Sequence, residues 1–133
     1  MFSENPNLKY KLLWLAIGYA LVSYIIYSSL TPDPIEFDVD FGDVDKYGHF
    51  TSYFVLMGWF MQIYHTKKMV IVCTVALVSL GVALEFIQEM TGYRYFDIYD
   101  MLANSLGILL ALLLIKTPFP KILHYIELKS GVR

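Results

Sequence analysis

The chain has 133 residues, 57% of them apolar and 17% aromatic, with a formal net charge of -2. That length suits a single domain, 1–133, and so apolar a composition is unusual for a water-soluble one. No basic run with interleaved aromatics occurs, so nucleic acid is not an expected partner; one cysteine, Cys73, lies in an apolar run, so no intrachain disulfide forms and an inert thiol is expected.

A bilayer-crossing helix takes about 20 mainly apolar residues. Residues 12–30 carry no charge and form the first expected span. This run exceeds the roughly 7–15 apolar residues of a signal peptide and lacks a clear A-x-A site, so the sequence predicts a retained anchor. Pro32 and Pro34 then end the helix, because proline lacks the amide proton and clashes with the preceding turn. Asp33, Glu36, Asp38, Asp40 and Asp43 follow and read as a solvated acidic loop. Their spacing does not match an EF-hand. Residues 47–64 make a second span with His49 near its start, and 69–86 a third that is uncharged until Glu85. A fourth covers 98–115, with Asp100 and Asn104 in its first two turns. Residues 119–128 carry Lys121, His124 and Glu127 and suit a short amphipathic helix at the membrane interface. The expected fold class is therefore all-α, an integral membrane four-helix bundle.

Lys and Arg give the orientation. Lys9, Lys11, Lys67, Lys68, Lys116, Lys121, Lys129 and Arg133 lie on one side of the predicted spans, and Lys46 and Arg94 on the other. The positive-inside rule then puts both termini in the cytoplasm and turns the loops 31–46 and 89–97 outward.

The polar residues concentrate at that outer end, as Asp45-Lys46-x-x-His49, Glu85-x-x-Gln88-Glu89 and Arg94-x-x-Asp97-x-x-Asp100-x-x-x-Asn104. Ionisable groups inside a membrane are costly, so the cluster marks a candidate site. At 3.6 residues per turn, Asp97, Asp100 and Asn104 share one helix face, which Gly107 and Ala111 continue with side chains small enough for close helix contact. Gly81 lies one turn from Glu85 on the same face, and Asp45 and His49 are spaced to pair. Helical rise puts Glu85 about 24 Å beyond Met69, near the outer edge of the hydrocarbon, and Asn104 about 16 Å before Ile115, near the midplane. Plainer roles exist for several members: Asp97 and Asp45 as helix caps, His49 as a satisfied interior histidine, Asn104 as an interhelical clip. Glu85 has no capping role late in its helix, where a carboxylate is unfavourable.

The three motifs, with Phe50, Tyr53 and Gly107 at their spacings, resemble the VanZ-like membrane proteins, a family named after a protein associated with glycopeptide (teicoplanin) resistance. The resemblance covers roughly residues 12–115. It implies a small bacterial inner-membrane bundle, and this chain is expected to represent its core module alone.

Three functions follow. In the first, the site binds or modifies a lipid-linked cell-envelope molecule and so influences glycopeptide susceptibility. His49 or Glu85 acts as general base and Asp100 orients His49 or a water. Lys46 and Arg94 hold a phosphate or carboxylate, with Gln88 and Asn104 as further substrate contacts and Asp45 and Asp97 as structural or orienting groups. In the second, a metal-dependent hydrolase or transferase, His49, Glu85, Asp97 and Asp100 supply ligands; the oxygen-rich set suits Mg²⁺, Mn²⁺ or Ca²⁺ better than Zn²⁺ and has no H-E-x-x-H pattern. The third is a non-catalytic scaffold or interaction protein, with Tyr47, Tyr53, Trp59, Phe60 and Tyr64 facing lipid or interface belts. No sequence feature specifies a cofactor or a protein partner.

Overall fold

A computed structural model describes residues 8–31, 44–92 and 96–131, with the backbone alone for 44–46. It is all-helical. The helices are α1 (Lys11–Leu30), α2 (Val44–Ile63), α3 (Lys67–Met90) and α4 (Ile98–Leu113), followed by a 3-10 turn (Phe119–Lys121) and α5 (Ile122–Lys129). The acidic residues of the first outer loop, Asp33 through Asp43, lie outside the described residues.

By length and composition, α1 and α3 are the two described helices able to cross a membrane. Their lengths of 20 and 24 residues correspond to about 30 and 36 Å. The other two predicted spans differ for separate reasons. Helix α4 has 16 residues, or about 24 Å. Helix α2 has 20 residues but includes His49, Thr51, Ser52 and Gln62. Its position explains its polarity. Tyr53, Leu56, Met57, Phe60, Met61 and Ile63 are all buried, so its surroundings are mostly other helices. The bundle's outward faces are apolar instead. Ile71, Val75, Val78, Val82 and Phe86 are exposed along α3, and Leu102, Leu106, Leu109 and Leu113 along α4. Such contiguous stripes are unfavourable in water and suit a surface that meets hydrocarbon.

The main core joins Tyr53, Leu56, Met57 and Met61 of α2 to Val70 and Leu77 of α3 and Ile108 and Ala111 of α4, with Leu21, Val22 and Ile25 of α1 packed against it. The α2/α4 pairing is the most extensive in the fold. Gly107 permits it: a Cβ there would run into the Phe50 carbonyl oxygen and come within 2.9 Å of the Phe54 amide nitrogen. Small residues allow backbones to approach in this way, and van der Waals packing is the main attraction between helices in lipid. Helix α3 starts at Thr66, whose hydroxyl accepts from the Met69 amide at 3.1 Å. It ends at Gly92, which takes a φ of 80° suited to glycine after a helix.

The short C-terminal helix is docked as well as amphipathic. The Leu123 amide donates to Gln62 Oε1 at 2.8 Å. Glu127 is 1% exposed and accepts from the Lys9 amide at 2.8 Å, the Tyr10 amide at 3.0 Å and Trp14 Nε1 at 2.7 Å. A carboxylate at the start of α1 receives amide donors that the helix cannot satisfy internally, and it complements the positive end of the helix dipole. Phe119 rests over Gly58 of α2, where a Cβ would come within 2.9 Å of the ring.

Two substitutions test this packing. Replacing Gly107 with Ala should destabilise the detergent-solubilised protein by about 1–3 kcal/mol through overpacking, read as a lower unfolding temperature. Gly48→Ala, where a Cβ meets nothing within 4 Å, should leave that temperature unchanged or raised; equal effects would refute the close approach. Glu127→Ala should strand amide donors at a cost of about 1–3 kcal/mol. It should red-shift tryptophan emission and expose Lys9 and Lys11 to trypsin.

Candidate functional site

His49, Glu85, Asp100 and Asn104 converge from three helices near one end of the bundle. The close approach at Gly107 positions the first pair. With α2 and α4 in contact there, His49 Nδ1 lies 3.0 Å from Asn104 Oδ1, and His49 Nε2 lies 3.5 Å from Asp100 Oδ2. An amide oxygen can only accept, so the first contact requires a proton on Nδ1. In a neutral ring the lone pair is then on Nε2, facing Asp100. The Asn104 amide nitrogen points across to α3, where a Cβ on Gly81 would come within 2.9 Å of it. Gly81 therefore admits Asn104 between the helices.

Glu85 approaches from α3 and is 1% exposed. Its Oε2 accepts from the Asp97 backbone amide at 3.2 Å. Asp97 has a second task as the N-cap of α4, its side chain accepting from the Tyr99 amide at 2.8 Å. The turn that starts α4 thus presents an amide to Glu85 and starts the helix that carries Asp100. One donor atom from each of His49, Glu85 and Asp100 lies within 4.8 Å of the others. Nitrogen and oxygen donors at this separation can exchange protons, hold a cationic group or ligate a metal.

The remaining predicted site residues fall elsewhere. Gln88 shares a helix face with Glu85 but is 2% exposed, and its amide donates to the Ser29 carbonyl at 2.7 Å. It ties α3 to the end of α1, one turn beyond the carboxylate cluster. Glu89, four residues from Glu85, is exposed. Arg94 lies outside the described residues, as do Tyr93 and Tyr95, and so do the side chains of Asp45 and Lys46. The expected partnership of Asp45 with His49 is thus not visible; Asn104 and Asp100 are the described groups beside the imidazole. Phe96, next to the start of α4, packs on Phe86 with ring centroids 5.3 Å apart.

Tyr53 is the residue that composition misplaced. Read as a lipid-facing or belt aromatic, it is instead 2% exposed, with its hydroxyl 3.4 Å from where a Gly81 Cβ would be. It stands one turn from His49 on α2, on the inward face. The available signal was its i+4 spacing from His49, which puts both on one stripe. Phe60 is also turned inward, at 7% exposed, while Tyr47 remains outward at 67%.

The VanZ/LLP1 family model matches residues 3–123. An uncharacterized protein of the fission yeast Schizosaccharomyces pombe is 32% identical over 108 residues, which cover 78% of this chain and 62% of that protein. The chain thus spans less than two thirds of the length of this curated relative. No solved structure matches the chain. The family match takes in all four long helices and every residue of the convergent cluster, and by it the chain belongs to the VanZ/LLP1 family.

Proposed function

We propose that this VanZ-family chain is a multi-pass membrane protein whose polar site opens to the extracytoplasmic side and binds or modifies the head of a lipid-linked cell-envelope molecule. The observation that carries the reading is the meeting of His49, Asp100 and buried Glu85 at one end of a bundle whose outer faces are apolar. Ionisable groups gathered in such surroundings are expensive and favour function over structure. An amphipathic ligand with its tail in the bilayer brings a polar head to this depth without leaving lipid.

In this reading all four long helices cross the bilayer of the bacterial inner membrane, α2 and α4 sheltered by their neighbours, and both termini are cytoplasmic. The charge asymmetry supports it. Eight of the ten Lys and Arg residues lie on the side opposite the site. Lys46 and Arg94 then meet the anionic head, arginine being suited to bidentate recognition of phosphate or carboxylate. His49 takes a proton at Nε2 while Asn104 fixes the ring through Nδ1, and Asp100 stabilises the imidazolium. Glu85 is the second acid–base group. An effect on glycopeptide susceptibility would follow from action on an envelope precursor. A relative in a yeast favours a ligand class defined by its lipid and polar head over one particular wall component.

Topology is checked by cysteine labelling in a Cys73→Ser background. Asp40→Cys should react with an impermeant maleimide from outside and Lys68→Cys only after the membrane is opened; the reverse pattern would place the site in the cytoplasm. Separate Glu85→Gln and His49→Ala variants, confirmed as folded and inserted, should each shift the envelope or teicoplanin-susceptibility phenotype to that of a strain lacking the gene. Wild-type behaviour of both would remove the functional reading of the cluster.

A further inference from the structure

We infer that His49, Glu85 and Asp100 form a binding site for a divalent transition-metal cation, of the Mn²⁺ or Zn²⁺ class. The inference stands on donor geometry; with a cation bound, the Nε2 lone pair is occupied and His49 serves as a ligand, in place of the proton acceptor it is in the metal-free site. Three helices each contribute one ligand: an imidazole nitrogen from α2 and carboxylates from α3 and α4, with donor atoms within 4.8 Å of one another. Ligands about 2.0–2.2 Å from a common ion stand roughly 3–4.4 Å apart, so side-chain movements of up to about 1 Å close the site. His49 Nε2 and Asp100 Oδ2, at 3.5 Å, are already within that range.

The surroundings of the ligands also fit. A ligating histidine commonly donates its other ring N–H to an oxygen acceptor, which fixes the tautomer and aims the lone pair. Asn104 Oδ1 stands 3.0 Å from Nδ1 in that position. Ligating carboxylates are likewise hydrogen-bonded, and Glu85 Oε2 accepts from the Asp97 amide at 3.2 Å. Asn104 lies outside the donor set and is itself 3% exposed, held against Gly81. The imidazole selects against Mg²⁺ and Ca²⁺, which favour oxygen alone, and the two carboxylates against Cu⁺, which favours sulfur. Asp97 does not join the set, because its side chain caps α4.

The test is metal binding by the full chain in detergent micelles after chelator stripping. Mn²⁺ is titrated by the loss of its free-ion paramagnetic resonance signal, Zn²⁺ by calorimetry, and Mg²⁺ serves as the hard-cation comparison. One Mn²⁺ or Zn²⁺ should bind per chain and raise the unfolding temperature, with Mg²⁺ markedly weaker. His49→Ala, Glu85→Gln and Asp100→Asn should each abolish stoichiometric binding. Asn104→Ala, which removes no ligand, should weaken affinity about 10–100-fold, a loss that a merely structural clip would not produce. Glu89→Gln, an exposed neighbour, should bind like wild type. Failure of the wild-type chain to bind any of these ions at millimolar concentration overturns the proposal, and so does undiminished binding in the His49→Ala and Glu85→Gln variants. Neither result bears on the lipid-head reading, which the phenotypes of those variants test separately.

Discussion

The contact of α2 with α4 at Gly107 is the constraint on which the site depends. The Phe50 carbonyl occupies the space that any larger residue would fill, and this sets the distance between the two helices. His49 is adjacent to Phe50, and Asn104 and Asp100 lie one and two turns from Gly107. Their contacts at 3.0 and 3.5 Å are therefore consequences of backbone approach. Gly81 repeats the device on α3, leaving room for the Asn104 amide. Two glycines thus admit a polar stripe into the interior, and the aliphatic core of Leu56, Met57, Leu77 and Ile108 holds the helices on either side of it.

The two ends of the bundle use buried carboxylates in different ways. Glu127, at the end bearing most of the lysines, is surrounded by amide and indole donors and anchors the start of α1 to α5. Its environment is explained by structure alone. Glu85, at the other end, accepts from one backbone amide and faces an imidazole and a second carboxylate. A structural role would be served as well by an uncharged amide, as Gln62 and Gln88 show at their own helix contacts.

The sequence showed the helices and the inward stripe of α4, because Asp97, Asp100, Asn104, Gly107 and Ala111 follow helical periodicity, and Asn104, Gly107 and Ala111 are indeed buried. Gly81 and Gly107 were legible for the same reason. What the sequence could not show was the rotation of one helix against another. Gln88 sits on the face of Glu85 but reaches α1, since at that level the neighbouring backbone is Ser29. Local spacing points His49 to Asp45, whose side chain lies outside the described residues, and says nothing of Asn104, which stands beside the ring from 55 positions away in sequence. Glu127 read as one charge on an amphipathic helix, because its partners at Lys9, Tyr10 and Trp14 are brought to it only by folding. Span prediction met a related limit: α2 is polar because it is central, and composition alone does not separate a helix sheltered by others from one outside lipid.

The state of the His49 ring tests this account most directly. The Asn104 contact demands a proton on Nδ1, the opposite of the Nε2–H tautomer that free histidine prefers. Nitrogen-15 spectra of histidine-labelled protein, with His49 assigned by comparison with His49→Ala, should show a proton held on Nδ1, lost on Asn104→Ala. An Nε2–H ring, or a fast mixture of tautomers that Asn104→Ala leaves unchanged, would contradict the claim that helix packing holds His49 poised in the site.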